Sequence, residues 1–184
     1  MEQQLPPLHL ACGNDELRPN ICLIEIKGTI ATATDGHMIV KIDLSQNGNL
    51  TPDQIKVLDG RFIHSEVWKE LHKCDLIELD ETGMWCNKNG IRKGFEYSEV
   101  QGTFFKIDTI IEAAKIDGEE SKRLVSYNPA FITVLAKIFQ SSTMHFSFTK
   151  GKNKGTIIFP SEHCGMFALL MPVDSDGVNR YLFL

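Results

Sequence analysis

The chain has 184 residues, 42% of them hydrophobic, and its 24 acidic against 19 basic side chains give a formal charge of −5. That length suffices for one sizeable domain or two small ones with a buried core. The acidic balance argues against a generic nucleic-acid binder, whose affinity for phosphate rests on clustered Lys and Arg. Local basic groups at Arg92-Lys93, Lys122-Arg123 and Lys150, Lys152 and Lys154 read as solvated hairpin tips. Five cysteines, Cys12, Cys22, Cys74, Cys86 and Cys164, contain no C-x-x-C pair and no zinc spacing. They argue against a disulfide framework and for a reducing compartment. No apolar run approaches a membrane span and the start lacks a basic signal region, so the expected location is the cytoplasm, with no membrane partner.

In chain order, alternating apolar residues predict strands at 8–11, 22–26, 29–33 and 38–44, separated by Gly13-Asn14-Asp15, Lys27-Gly28 and Asp35-Gly36 turns. The polar stretch 45–53 reads as a loop leading through 55–58 to Asp59-Gly60. A helix follows with Ser65 as N-cap and Val67, Trp68, Leu71 and His72 at helical spacing, Phe62 and Ile63 lengthening its start. Strands are expected at 76–79, 83–86 and 91–100. The segment 104–114 fits either extended chain or a short helix, and 115–123 reads as a charged surface connection. Asn128 followed by Pro129 marks a second helix to about Gln140, with Phe131, Ile132, Leu135, Ile138 and Phe139 as its apolar stripe. Strands at 144–149, 156–160 and 166–171 complete the pattern.

The expected class is α+β, antiparallel sheets with two amphipathic helices on one face. A faint repeat, helix plus three strands, occurs twice. The whole reads as a single domain over 1–184, with halves at about 8–115 and 122–173 and a C-terminal tail at 174–184. There is no strand–helix alternation at βαβ spacing, no G-x-G-x-x-G and no P-loop, so a doubly wound nucleotide-binding fold is not expected.

Reacting constellations are poor. Asp35 beside His37 is explained by the turn. His145, His163 and Cys164 offer a thiol–imidazole or metal alternative, that of a small hydrolase, without a fixed third partner. Ser65, Ser126 and Ser161 stand in no nucleophile elbow, and Asp75, Glu78, Asp80 and Glu81 alternate as on a solvated strand edge. The expectation is a protein without catalytic residues, metal or cofactor, a binding protein rather than an enzyme. A generic α+β interaction module is the plainer alternative.

Two segments say more: Ala33-Thr34-Asp35-Gly36-His37 and Leu169-Leu170-Met171-Pro172-Val173. The first is a hairpin signal and the second a strand stopped by proline. Together they resemble the bacterial DNA polymerase sliding clamp, the beta processivity subunit of DNA replication. In that family a Thr-Asp-Gly-His turn and a Met-Pro strand wall one hydrophobic pocket for peptides of polymerases and clamp loaders.

The likeness keeps its order along the chain. Residues 22–44 are similar to paired strands of the clamp's middle domain, 62–74 to that domain's second helix and 76–100 to its next strands. Gly102-Thr103-Phe104-Phe105 falls at a Gly-x-Phe-Pro motif, and the segment from Leu124 onward resembles the last helix. The resemblance implies a shortened clamp module, without a first domain and without the first helix of the others. Its peptide pocket would be lined by Thr34, Gly36, His37, Met38, Ile39, Met171, Pro172 and Val173. Lys69, Lys73 and Lys137 are the implied DNA-facing residues. Implied partners are a DNA polymerase or other replication and repair proteins acting through short linear peptides, double-stranded DNA, and further copies of the chain in a ring.

Two departures are single residues: Met38 stands where the family has Arg, which makes the pocket rim less polar, and Phe105 stands where the family has Pro after Gly-x-Phe. A third is the tail 174–184, whose Tyr181-Leu182-Phe183-Leu184 resembles the Leu- and Phe-bearing peptides that clamps bind.

Overall fold

The structure is a computed structural model that describes residues 5–15, 17–102, 104–115, 126–148, 155–161 and 165–173. Among the described residues ten antiparallel strands form two sheets. The larger contains β4 (Phe62–His64), β1 (Leu23–Lys27), β2 (Ile30–Thr34), β3 (Met38–Asp43), β10 (Met166–Leu170), β9 (Thr156–Pro160) and β8 (Met144–Phe148), in that spatial order. The smaller is a meander of β5 (Leu76–Leu79), β6 (Met84–Lys88) and β7 (Ile91–Phe95). The chain's two halves therefore share one sheet, joined where β3 pairs with β10.

Among the described residues four α-helices accompany the sheets: α1 (Pro52–Leu58), α2 (Ser65–Leu71), α3 (Ile107–Lys115) and α4 (Pro129–Phe139). The two expected helices are α2 and α4. Asn128 caps α4, its side chain accepting from Ala130 N–H at 3.0 Å, and Gln140 closes it in the left-handed region at φ +50°. The segment 104–114, open between extended chain and helix, becomes α3.

Where the expected elements differ, local chemistry gives the reason. The loop expected over 45–53 ends in α1, because Thr51 and Gln54 form a reciprocal capping box and Pro52 fits the first turn. Residues Leu8–Ala11 form a 3-10 turn rather than a strand, with Leu8 and Ala11 buried against the core. Phe62 and Ile63 do not lengthen α2. They pair with Glu25 and Ile24 as β4, and His64 takes the cap position expected of Ser65, its ring accepting from Glu66 N–H at 3.3 Å.

Alternation along β3 and β10 sorts their side chains to two faces. Met38, Val40, Ile42, Ala168 and Leu170 join the main core with Trp68, Leu71, Leu135 and Ile138, beneath α1, α2 and α4. Ile39 and Leu169 point the other way, into a small cluster with Ile107 and Ile111 of α3. Helices thus cover both faces of the central strands, α3 being alone opposite the other three.

Cys74, just past α2, and Cys86, on β6, form a disulfide with Cα atoms 5.6 Å apart, against the expectation of unpaired thiols. Their separation of 12 residues matches no motif; the packing of α2 on the meander brings them together. Cys12 and Cys22 are free. Among the described residues no helix is long and apolar enough to cross a membrane.

Candidate functional site

The Asp35-Gly36 turn is built by its own side chains. Asp35 Oδ1 accepts from the N–H groups of His37 and Met38, both at 2.8 Å. Thr34 Oγ1 accepts from Gly36 N–H at 3.1 Å and donates to Met38 O at 2.7 Å. Gly36, at φ +90°, supplies the conformation that other residues rarely adopt. Asp35 is thereby occupied with backbone, a structural task that explains it beside His37.

This turn and the proline-stopped segment meet. Met38 lies opposite Leu170 and Ile39 opposite Leu169 in the ladder, and beyond its end Met171 N–H donates to His37 O at 3.0 Å. Two further segments complete the rim. Val173 N–H donates to Ser126 O at 2.9 Å, and the Phe131 ring of α4 stacks on His37 with centroids 5.8 Å apart.

The eight expected lining residues divide by burial. Gly36 and His37 are exposed, Met171 is 38% and Val173 49% exposed, and Pro172 is half-buried. Thr34, Met38 and Ile39 are buried. Next to the turn in sequence, they sit in the middle of a seven-stranded sheet covered on both faces there, so they support the rim from beneath and offer it no surface.

Sequence reasoning missed Arg18. Gly13 N–H donates to Thr34 O at 3.3 Å, which brings the preceding loop against the turn. A Cβ built on Gly36 would stand 3.7 Å from Arg18 Nη1. The guanidinium is steadied by Asp15, Nε to Oδ2 at 2.7 Å, and holds that carboxyl below its usual range. A basic group thus stands beside the turn from another element. No local signal pointed to it, because the contact spans 18 positions of chain. Behind the turn, burial pushes the Cys12 thiol up, so it stays protonated.

The expected DNA-facing lysines lie elsewhere. Lys69 pairs with Glu66 on α2 at 2.9 Å, while Lys73 and Lys137 are exposed. Of the alternative enzyme set, His145 stacks on Phe159 across β8 and β9 with centroids 5.4 Å apart; His163 and Cys164 lie outside the described residues, as do Lys122, Arg123, Lys150, Lys152, Lys154 and the tail 174–184. Three of the four carboxylates in the acidic run are occupied structurally: Glu78 pairs with Arg92 at 2.6 Å, Asp80 accepts from Thr82 and Gly83 N–H groups, and Asp75 accepts from Asn89 N–H at 3.2 Å. Two clefts, of about 370 Å³ beside Arg61 and Tyr97 and about 290 Å³ beside Glu25 and Asp108, are polar, and neither is lined by His37 or Met171.

The fold matches solved structures with TM-scores near 0.6. The DNA polymerase sliding clamp from Bacillus subtilis aligns at TM-score 0.60 and 14% identity, over 95% of this chain and 64% of that one. The fold is that of a bacterial sliding clamp. The DNA polymerase III subunit beta from Borrelia burgdorferi, in complex with a natural product, aligns at TM-score 0.63 and 9% identity, over 90% of this chain and 60% of that one. The clamp from Bartonella birtlesii, bound to griselimycin, aligns at TM-score 0.57 and 17% identity, over 91% and 63%. The chain thus spans less than two thirds of the length of these clamps. No protein-family model matches it, and no curated protein does.

Proposed function

We propose that this chain is a non-catalytic, sliding-clamp-like protein of DNA replication or repair that docks short peptides of DNA polymerases or other replication and repair proteins. The observation that carries the reading is the hydrogen bond from Met171 N–H to His37 O, which joins the turn and the proline-stopped segment into one rim. Met171 and Val173 offer apolar contact beside His37, with Arg18 near enough to receive an acidic group. Such a surface suits a linear motif whose apolar side chains supply affinity and whose flanking charges set direction. Met38, Ile39 and Leu170 hold that surface from below.

Double-stranded DNA is the second partner in this reading, with Lys69, Lys73 and Lys137 as phosphate contacts. These are few, and Lys69 is already engaged with Glu66. Encirclement would require several copies to close by symmetry.

Fluorescence polarisation with a labelled peptide bearing a Leu-Phe pair tests the docking reading. Binding that weakens on Met171→Ala and on His37→Ala, and is unchanged by Lys73→Ala, is expected. Equal binding by all four proteins would overturn it.

A further inference from the structure

We propose that the chain's own Tyr181-Leu182-Phe183-Leu184 docks on the rim formed by His37, Met171 and Val173 and competes with incoming peptides. The inference rests on the docking reading and adds regulation to the same site.

Three observations point to this occupant. The described chain reaches Val173 at the rim itself, held there by its bond to Ser126. The next seven residues, Asp174 to Arg180, are mostly polar and include Gly177, and the four that follow are all apolar or aromatic. Seven residues span up to about 23 Å at roughly 3.3 Å each, ample for a return to walls that touch through one hydrogen bond. Charge bears on it too: the connecting segment carries Asp174 and Asp176 against one cation, Arg180, and the Arg18 guanidinium stands beside Gly36 at the same rim.

Tethering decides the magnitude. A short linker holds its segment at an effective concentration on the order of 1 mM. If the segment binds with a dissociation constant of about 0.1 mM, a competing peptide loses roughly tenfold in apparent affinity. Weak intrinsic binding therefore suffices.

The experiment compares the full chain with its Leu182→Asp/Phe183→Asp variant, using the labelled Leu-Phe peptide. About tenfold tighter binding by the variant is expected. In a second arm, a labelled peptide of residues 174–184 is added to that variant; it should bind, and should lose binding when Met171→Ala is added. Equal affinity of both chains for the Leu-Phe peptide overturns the inference and leaves the docking reading standing. If neither chain binds that peptide, the docking reading fails, and absence of binding by the 174–184 peptide then overturns the inference too.

Discussion

The rim at β3 and β10 and the outer side of α2 are both surface regions built on the same core, yet they differ in what their exposed groups leave available. At the rim, backbone bonds and the turn's own carboxylate are satisfied internally, and the remaining surface is Met171, Val173 and the His37 ring, beside the Arg18–Asp15 ion pair. On α2 the charges answer one another: Lys69 pairs with Glu66, and Glu70 with Lys93 of β7 at 3.2 Å. An apolar surface gains from any partner that covers it, whereas a paired charge must first lose its neighbour. The comparison favours peptide docking at the rim over phosphate binding on α2.

The largest effect expected is at the rim's support. Leu170 is fully buried under it, and Leu170→Ala should cost about 3 kcal/mol in urea unfolding. A loss well below 1 kcal/mol would mean that the rim does not rest on a closed core. On the α2 side, Cys86→Ala opens the link to Cys74 and should cost about 3 kcal/mol from loop closure alone. Peptide affinity of the folded protein should not change, which separates the two regions. Met171→Ala comes next, with a roughly tenfold weaker peptide complex, about 1.4 kcal/mol, and little change in melting temperature because Met171 is partly exposed.

The pH response lies at His9, in the Leu8–Ala11 turn beside the end of α2. Burial, with His72 and the lysines Lys69 and Lys73 nearby, lowers His9 from 6.5 to about 4, Glu66 acting the other way. Its folded form is thus neutral, so its contribution to stability is complete above about pH 6.5 and drains away as pH falls toward 4. Urea midpoints should fall across that window, and less steeply in His9→Leu; equal slopes would contradict the assignment. The smallest effect expected is that of Lys73→Ala, with no measurable change in peptide affinity.

Much of this architecture was legible because period-2 alternation and turn residues mark strands directly. The individual strands β3 and β10, the Asn128-Pro129 helix start and the β5–β6–β7 meander follow from such local signals. Helix α1 carried a legible sign too, the Thr51-Pro52-Asp53-Gln54 capping box, obscured by the polar residues before it. Other features had none. Strand β4 is three residues long and owes its form to pairing with β1, and the Cys74–Cys86 link follows from how α2 packs. At the site, the meeting of the turn with Met171 was expected from the resemblance. Which side chains reach the surface was not, because Met38 and Ile39 point to opposite faces and both faces are covered. Arg18 enters through a single backbone bond between distant segments.

The most direct measurement is a crystal structure of the chain with the Leu-Phe peptide bound. The account predicts that the peptide's apolar side chains lie against Met171, Val173 and His37, with any acidic flank toward Arg18. A peptide seated instead in the cleft by Arg61 and Tyr97, or along α2, would contradict it.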